Sequence, residues 1–347
     1  QDLLMYNIGH GVAAAAVTYK LPANRKLYLV EPHYNALNCA IETLVVNGVQ
    51  NYFPISSGFL PNELNSCIDT TVIDIPKGRK LLRRWLIETY EVLKPSGKLY
   101  LVGANNQGIQ SAIKDATDLF GRPILLGYKK GNRLARFVKT EKSISLPGWS
   151  MEPGVARGSW YTFNFENEGN ITTIHSLPGV FSYECIDEGS QFLIQNLPYC
   201  QNEKVLDIGC GYGILGITLA LKAKSEGKEI HVDLLDNNFL AVASSQKNIQ
   251  YHHIPGTSAF PSDLLSAKAD QTYQLIVSNP PFHAGTETDY SITSAMVRQA
   301  SQALVSEGQL YIVANHFLRY DQLMKPFFQS VKIIARNNKY HVIVGKK

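Results

Sequence analysis

Val205-Leu206-Asp207-Ile208-Gly209-Cys210-Gly211-Tyr212-Gly213 is the stretch on which the fold turns. A short apolar run containing an acid reads as a buried strand. Three alternating glycines then let the chain turn sharply and approach a ligand closely. Residues 214–223 carry the pattern of a helix, whose N-terminus favours electronegative groups. Strand, glycine loop and helix together open a nucleotide-binding α/β unit.

Working outward, residues 230–235 read as a second strand closed by Asp236, and 238–251 as a helix. Residues 274–278 form another strand, 293–304 another helix and 309–314 another strand. Strands alternating with helices imply a doubly wound, Rossmann-like parallel sheet. Asp207 stands just before the first glycine, where a carboxylate meets a ligand ammonium group and repels a pyrophosphate. Asp236, with Asn237 beside it, is placed to accept both ribose hydroxyls. Asp263 follows the next segment and either faces an adenine or caps a helix ahead of Leu264-Leu265. Gly211-x-Gly213-x-x-Gly216 also satisfies the dinucleotide pattern, so an NAD site is the competing reading of the loop alone.

Downstream, Ser278-Asn279-Pro280-Pro281-Phe282 ends the strand at 274–278. Adjacent prolines lock φ and donate no hydrogen bond, so the segment is rigid. An Asn amide and carbonyls on such a frame are acceptors suited to gripping an amino group. With the glycine loop, this points to transfer from a nucleoside cofactor to a nitrogen.

The chain writes its unit twice. Tyr6-Asn7-Ile8-Gly9-His10-Gly11-Val12-Ala13 is read against Leu206 through Gly213, which places Asn7 at Asp207 and Ala13 at Gly213. Residues 27–31 match the strand closed by Asp236, with Glu31 in the acidic place, and 93–102 match 304–313. Asp74-Ile75-Pro76-Lys77 stands where Asn279-Pro280-Pro281-Phe282 falls. A period near 200 residues means duplicated domains, not a solenoid. The expected division is a degenerate domain over 1–145, a connection over 146–170 and an active domain over 171–347.

Composition fits this architecture: 347 residues, 45% hydrophobic and 18% charged. No apolar run is long enough to span a bilayer, so no membrane is expected. The chain opens on Gln1 without a basic leader, and some N-terminal sequence is expected to be missing. Cys39, Cys67, Cys185, Cys200 and Cys210 are scattered, which argues for reduced thiols, no metal and a cytoplasmic protein. Residues 1–150 hold 18 Lys/Arg against 11 Asp/Glu. Lys77, Arg79, Lys80 and Arg83 form one basic cluster, and Lys129, Lys130 and Arg133 another. Each fits a phosphate-binding patch, a solvated helix face or a charge-protected hairpin edge.

The motifs resemble the class I methyltransferases of exocyclic amines. More narrowly, the chain resembles the ribosomal RNA small-subunit methyltransferase C family and its large-subunit relatives. Pro178-Gly179-Val180-Phe181-Ser182, Asp187-x-Gly189-Ser190-Gln191-x-Leu193 and Val313-Ala314-Asn315-His316-Phe317-Leu318 support this. The resemblance covers nearly the whole chain. It implies two tandem methyltransferase domains, the first degenerate and serving RNA recognition and stability. It also implies S-adenosylmethionine as cofactor and guanine N2 in ribosomal RNA or a ribosomal subunit as target. Asn279 and the Pro280 carbonyl would accept from the amine, Asn279 would also contact the cofactor, Pro281 would stiffen the turn, and Phe282 would stack on the base. The segment holding Asp187 and Gln191 would pack over the cofactor, or cap the helix that follows. His283 and His316 are read as structural. The rivals are adenine or protein glutamine methylation, and a non-catalytic RNA-binding assembly factor.

Overall fold

The computed structural model describes residues 2–20, 22, 24–140, 145–198, 203–280 and 287–347. Contact clustering divides the chain into two units: residues 1–161 with 177–179, and residues 162–176 with 180–347. Each holds one seven-stranded sheet.

In the first unit β1 (Leu3–Tyr6) leads to α1 (Val12–Thr18), β2 (Leu27–Val30), α2 (Tyr34–Val46) and β3 (Tyr52–Ile55). Then come β4 (Ile68–Asp74), α3 (Arg79–Val92), β5 (Leu93–Ala104), α4 (Ile109–Phe120), β6 (Ile124–Lys129) and β7 (Asn132–Val138). The strand order is β3-β2-β1-β4-β5-β7-β6. Only β7 runs against the others.

The connection expected over 146–170 lies wholly among the described residues, and Gly148–Met151 makes a 3-10 turn at its start. A hairpin of β8 (Tyr161–Asn167) and β9 (Asn170–Ser176) follows. After it come α5 (Glu188–Ile194), β10 (Lys204–Ile208), α6 (Ile214–Ser225), β11 (His231–Asp236), α7 (Phe239–His252) and β12 (Thr257–Pro261). The second unit ends with β13 (Tyr273–Ser278), α8 (Glu287–Ala303), β14 (Leu304–Asn315), α9 (Tyr320–Met324), β15 (Ser330–Arg336) and β16 (Tyr340–Lys346). Its order, β12-β11-β10-β13-β14-β16-β15, repeats the first sheet strand for strand. The chain is therefore two tandem doubly wound, Rossmann-like α/β folds.

The strands are apolar because both sheet faces are covered by helices. Val205, Leu206, Val232, Leu234, Ile276 and Val277 are wholly buried. β14 begins five residues earlier than the apolar run suggested, since α8 passes straight into it. Glu307 with φ 66° then lets the strand re-register on β13.

Register corrects one pairing of the two copies. Ile208 pairs with Leu235, one residue before Asp236. Tyr6 pairs with Val30, one residue before Glu31. Tyr6 therefore answers to Ile208, and Met5, not Asn7, stands where Asp207 is. Asn7, at φ 57°, takes the left-handed place of Gly209, at φ 71°. Gly11 and Gly213 are the two residues that open the helices, at φ 82° and 89°. Sequence matching had slid the loop by two residues because both copies alternate glycine. At the other strand end the matching stands: Tyr6 pairs with Ile73 and Ile208 with Ser278, so Asp74 answers to Asn279.

A Cβ on Gly11 would lie 2.8 Å from the Ala40 backbone, whereas one on Gly9 meets nothing within 4 Å. Both have positive φ. Gly9→Ala should cost about 1–2 kcal/mol from backbone strain, and Gly11→Ala about 1–3 kcal/mol more. Urea unfolding of the two variants checks the difference, and equal losses would count against the helix-to-helix contact.

Candidate active site

The second unit gathers its polar residues at the C-terminal ends of β10, β11 and β13. Ser278 Oγ donates to the Ile208 carbonyl at 2.8 Å, tying the end of β13 to the start of the glycine loop. Asn279 is thereby fixed beside that loop.

The loop is braced from below and behind. Gly211 N–H donates to Asp236 Oδ2 at 2.8 Å, and Asn238 N–H to Oδ1 at 2.8 Å. Burial pushes the Asp236 carboxyl up, and the N–H groups of Asn238, Gly211 and Asn237 pull it back. From α7, Ser245 Oγ donates to the Gly211 carbonyl at 2.9 Å. Asn248 Nδ2 donates to the Tyr212 and His175 carbonyls, both at 2.9 Å. Sequence reading missed Ser245 and Asn248. Their signal was a pair of polar residues three apart on the buried face of α7. A Cβ on Gly213 would lie 2.8 Å from Ile217 Cδ1 and 2.9 Å from Ser245 Oγ. A Cβ on Gly209 would meet nothing within 4 Å, so the loop is open at that point.

Asp207 is wholly buried. Its Oδ2 accepts from Gly216 N–H at 3.0 Å, within the first turn of α6. Its Oδ1 is buried without a hydrogen-bond partner among the described residues. Burial raises its pKa from an ordinary 3.8 to about 7; the Gly216 N–H opposes this and Asp236 adds to it. An unpaired acid kept inside a protein costs stability and marks functional sites.

Asn279 is half-buried. Its Nδ2 donates to Asp187 Oδ1 at 3.0 Å and to Ser190 Oγ at 2.8 Å. Its Oδ1 is buried with no hydrogen-bond partner among the described residues. Asp187 does cap α5, accepting from Ser190 N–H at 3.0 Å, and it reaches Asn279 as well. Ser190 lay in the quoted motif, but its contact with a residue 89 positions away was not legible there. Pro280 is buried beside Asn279. Pro281, Phe282 and His283 lie outside the described residues.

Asp263 sits exposed on the turn after β12, its carbonyl accepting from Ser266 N–H at 3.0 Å. It precedes a 3-10 turn (Ser266–Lys268), whose own N-cap is Leu265. His316 N–H donates to the Lys339 carbonyl at 2.9 Å, and its Nδ1 lies 3.4 Å from the same oxygen. Among the described residues no cluster of His, Cys, Asp and Glu could hold a metal. No described helix is long and apolar enough to cross a membrane.

The two basic clusters of the first unit part company. Arg79 grips Asp115 with both Nε (2.8 Å) and Nη2 (2.7 Å). Arg83 bonds Asp115 at 3.2 Å and Glu152 at 2.7 Å, and Lys80 lies 3.9 Å from Glu152. Burial alone would raise the Asp115 carboxyl, but Arg79 and Arg83 hold it below the ordinary value. Arg79, Lys80 and Arg83 thus spend much of their charge inside the unit, while Lys77 is exposed.

The second cluster is the β6–β7 hairpin. Lys130 (φ 49°) and Gly131 (φ 81°) make its two-residue turn. Arg133 lies 4.9 Å over the Tyr128 ring and donates to Asn105 Oδ1. Residues 122–139 contain six Lys/Arg and no Asp/Glu. Every residue of β6 is exposed.

Comparison with known proteins fits this site. The methyltransferase small domain model matches residues 171–344. The chain is 33% identical to the ribosomal RNA small subunit methyltransferase C of Aliivibrio fischeri over 302 residues, 87% of this chain and 83% of that one. It is 32% identical to the protein of the same name from Psychromonas ingrahamii over 316 residues, 90% and 82% of the two chains. The solved structure of the T. thermophilus 16S rRNA N2 G1207 methyltransferase, in complex with AdoMet and guanosine, is 25% identical. It superimposes with a TM-score of 0.81 over the whole of this chain and 88% of that one.

Asp207→Asn tests the cost of the buried acid. A carboxyl with a raised pKa costs nothing below its unfolded pKa near 4, an increasing amount up to about pH 7, and a constant amount above. The variant should be more stable at about pH 8, by up to about 4 kcal/mol, and converge with the parent near pH 4. Urea midpoints across that range check this. A variant less stable at high pH would mean that the Gly216 bond outweighs desolvation.

Proposed function

This chain belongs to the ribosomal RNA small subunit methyltransferase C family, and we propose how its residues perform that reaction. It is an S-adenosylmethionine-dependent methyltransferase acting on the exocyclic N2 amine of a guanine in small-subunit ribosomal RNA. The observation that carries the proposal is Asn279, whose Nδ2 is clamped by Asp187 and Ser190 while its buried Oδ1 has no partner among the described residues. A buried acceptor without a donor is costly unless a ligand supplies one.

The residues present fit the cofactor. Gly209 leaves open space at the loop, Asp236 stands at the end of β11 for ribose hydroxyls, and Asp207 keeps an orphaned oxygen beneath. Gly211, Gly213 and Asn237 shape the same loop and strand end, and Asp263 stands on the adenine side. When bound, S-adenosylmethionine supplies a methyl group on a sulfonium, already activated for transfer. The NAD reading gives way, because a buried carboxylate under the loop opposes a pyrophosphate.

A guanine N2 lone pair is delocalised into the ring and is a poor nucleophile. Asn279 Oδ1 and the Pro280 carbonyl each accept one amino hydrogen, which draws the nitrogen towards sp³ and aims its lone pair. For Pro281 and Phe282, which lie outside the described residues, the family resemblance assigns stiffening of the Pro-Pro segment and stacking on the extruded base. Alignment and electrostatics supply the rate, and the nitrogen sheds its extra proton after transfer. The first unit is catalytically silent and serves RNA recognition. Its β6–β7 hairpin offers Lys129, Lys130 and Arg133 to phosphates and Tyr128 to a base, with Lys77 a further contact. The substrate is ribosomal RNA, naked or in a partly assembled subunit, and the enzyme works in the cytoplasm.

Asn279→Ala should lower kcat by about 100- to 1,000-fold with cofactor affinity within a few-fold. Mass mapping of ribosomal RNA from cells carrying only that variant should show the methylguanosine missing. Wild-type modification by the variant would remove the proposal. Changing Lys129, Lys130 and Arg133 together to Ala should weaken RNA binding and reduce the slope of log K against log salt by roughly 2–3. An unchanged slope in filter binding would take the hairpin out of the RNA path.

A further inference from the structure

We propose that Asp187 is a positioning residue for the methyl transfer, locking the Asn279 amide with its carbonyl oxygen turned to the substrate. The inference deepens the function proposed above and rests on it.

An Asn amide has nearly the same shape in two orientations, so packing alone chooses weakly between them. The choice is decisive here. Flipped, Asn279 would present two N–H donors to an amine that is itself a donor, and the grip would fail. Asp187 Oδ1 lies 3.0 Å from Asn279 Nδ2. An ionised carboxylate only accepts, so a flipped amide would set oxygen against oxygen with no proton between them. Ser190 Oγ, at 2.8 Å, both donates and accepts and tolerates either orientation. Asp187 is therefore the residue that discriminates.

Asp187 is itself held in place, because its Oδ1 also accepts from Ser190 N–H at 3.0 Å at the start of α5. A Cβ on Gly189 would lie 3.1 Å from Asp187 Oδ1, 3.3 Å from Tyr340 Cε1 and 3.7 Å from Asn279 Nδ2. The residue between the two partners must therefore be small. In the first unit the position of Asn279 is taken by Asp74, a carboxylate that an acid placed like Asp187 would repel. The amide on which the lock acts is absent there.

The test is steady-state kinetics of the full chain on ribosomal RNA, with calorimetry of S-adenosylmethionine binding. Asp187→Ala should lower kcat roughly 10- to 100-fold and leave the RNA KM and the cofactor Kd within threefold. Asp187→Asn should restore most of the loss, because Ser190 N–H pins the acceptor oxygen of an Asn at the same point. In an Asn279→Ala background, Asp187→Ala should cause no further fall in kcat, since it acts through a side chain already gone. An equal fall in both backgrounds, a full kcat for Asp187→Ala, or an Asp187→Asn as poor as Asp187→Ala would each overturn the role. Full activity of Asn279→Ala would instead remove the functional reading itself, and this inference with it.

Discussion

The hydrogen bond from a loop N–H to the acid closing the second strand organises this molecule, and it is made twice. In the second unit Gly211 donates to Asp236 at 2.8 Å, and in the first Gly9 donates to Glu31 at 2.9 Å. Both acids also accept from a residue two positions on, Asn238 and His33. The bond joins the end of one strand to the turn after its neighbour and satisfies N–H groups that the helix cannot. Glycines at φ 82° and 89° then launch α1 and α6 from the same point. Everything at the C-terminal edge of each sheet is placed relative to that joint.

Two copies under one fold separate what folding needs from what chemistry needs. The acid–loop bond, the left-handed glycine before the helix and the strand order survive in both. Three features survive only in the second: a buried Asp207, an open Gly209 and Asn279. Met5 is an apolar residue in the place of Asp207, so the sheet does not require a carboxylate there. Asn7 fills the place of Gly209 and sends Nδ2 to the Asp74 carbonyl at 3.2 Å, across the gap that stays open in the second unit. A destabilising acid, an unfilled loop and an orphaned amide oxygen are costs retained in one copy and lost in the other. That pattern is expected where a ligand offsets them.

In the mechanism proposed above, the site works by arranging acceptors. Among the described residues, Asp207 Oδ1 on β10 and Asn279 Oδ1 just after the neighbouring β13 are both unpaired. Ser278 ties those two strand ends together. Ser245 and Asn248 hold the loop carbonyls from α7, so the loop keeps its shape with its carbonyls satisfied inside the protein. A transfer that depends on alignment needs such bracing more than it needs a base.

From the amino-acid sequence one could determine the strand–loop–helix unit, its duplication, the family, and the strand ends that carry Asp207, Asp236 and Asn279. Each of these is local: a glycine spacing, a strand period, a Pro-Pro frame. Tertiary structure decided matters that depend on distant partners. Strand register moved the first copy by two residues, putting Met5 opposite Asp207, because alternating glycines match themselves at either offset while the hydrogen-bond ladder admits one. Ion pairs to Asp115 and Glu152, up to 69 positions away, tie Arg79 and Arg83 into the first unit, whereas the β6–β7 hairpin stands exposed. The orientation of Asn279 was set by Asp187, 92 positions away. A side chain's type is written in the sequence, but which of its atoms is left over for a substrate depends on neighbours that only folding brings near.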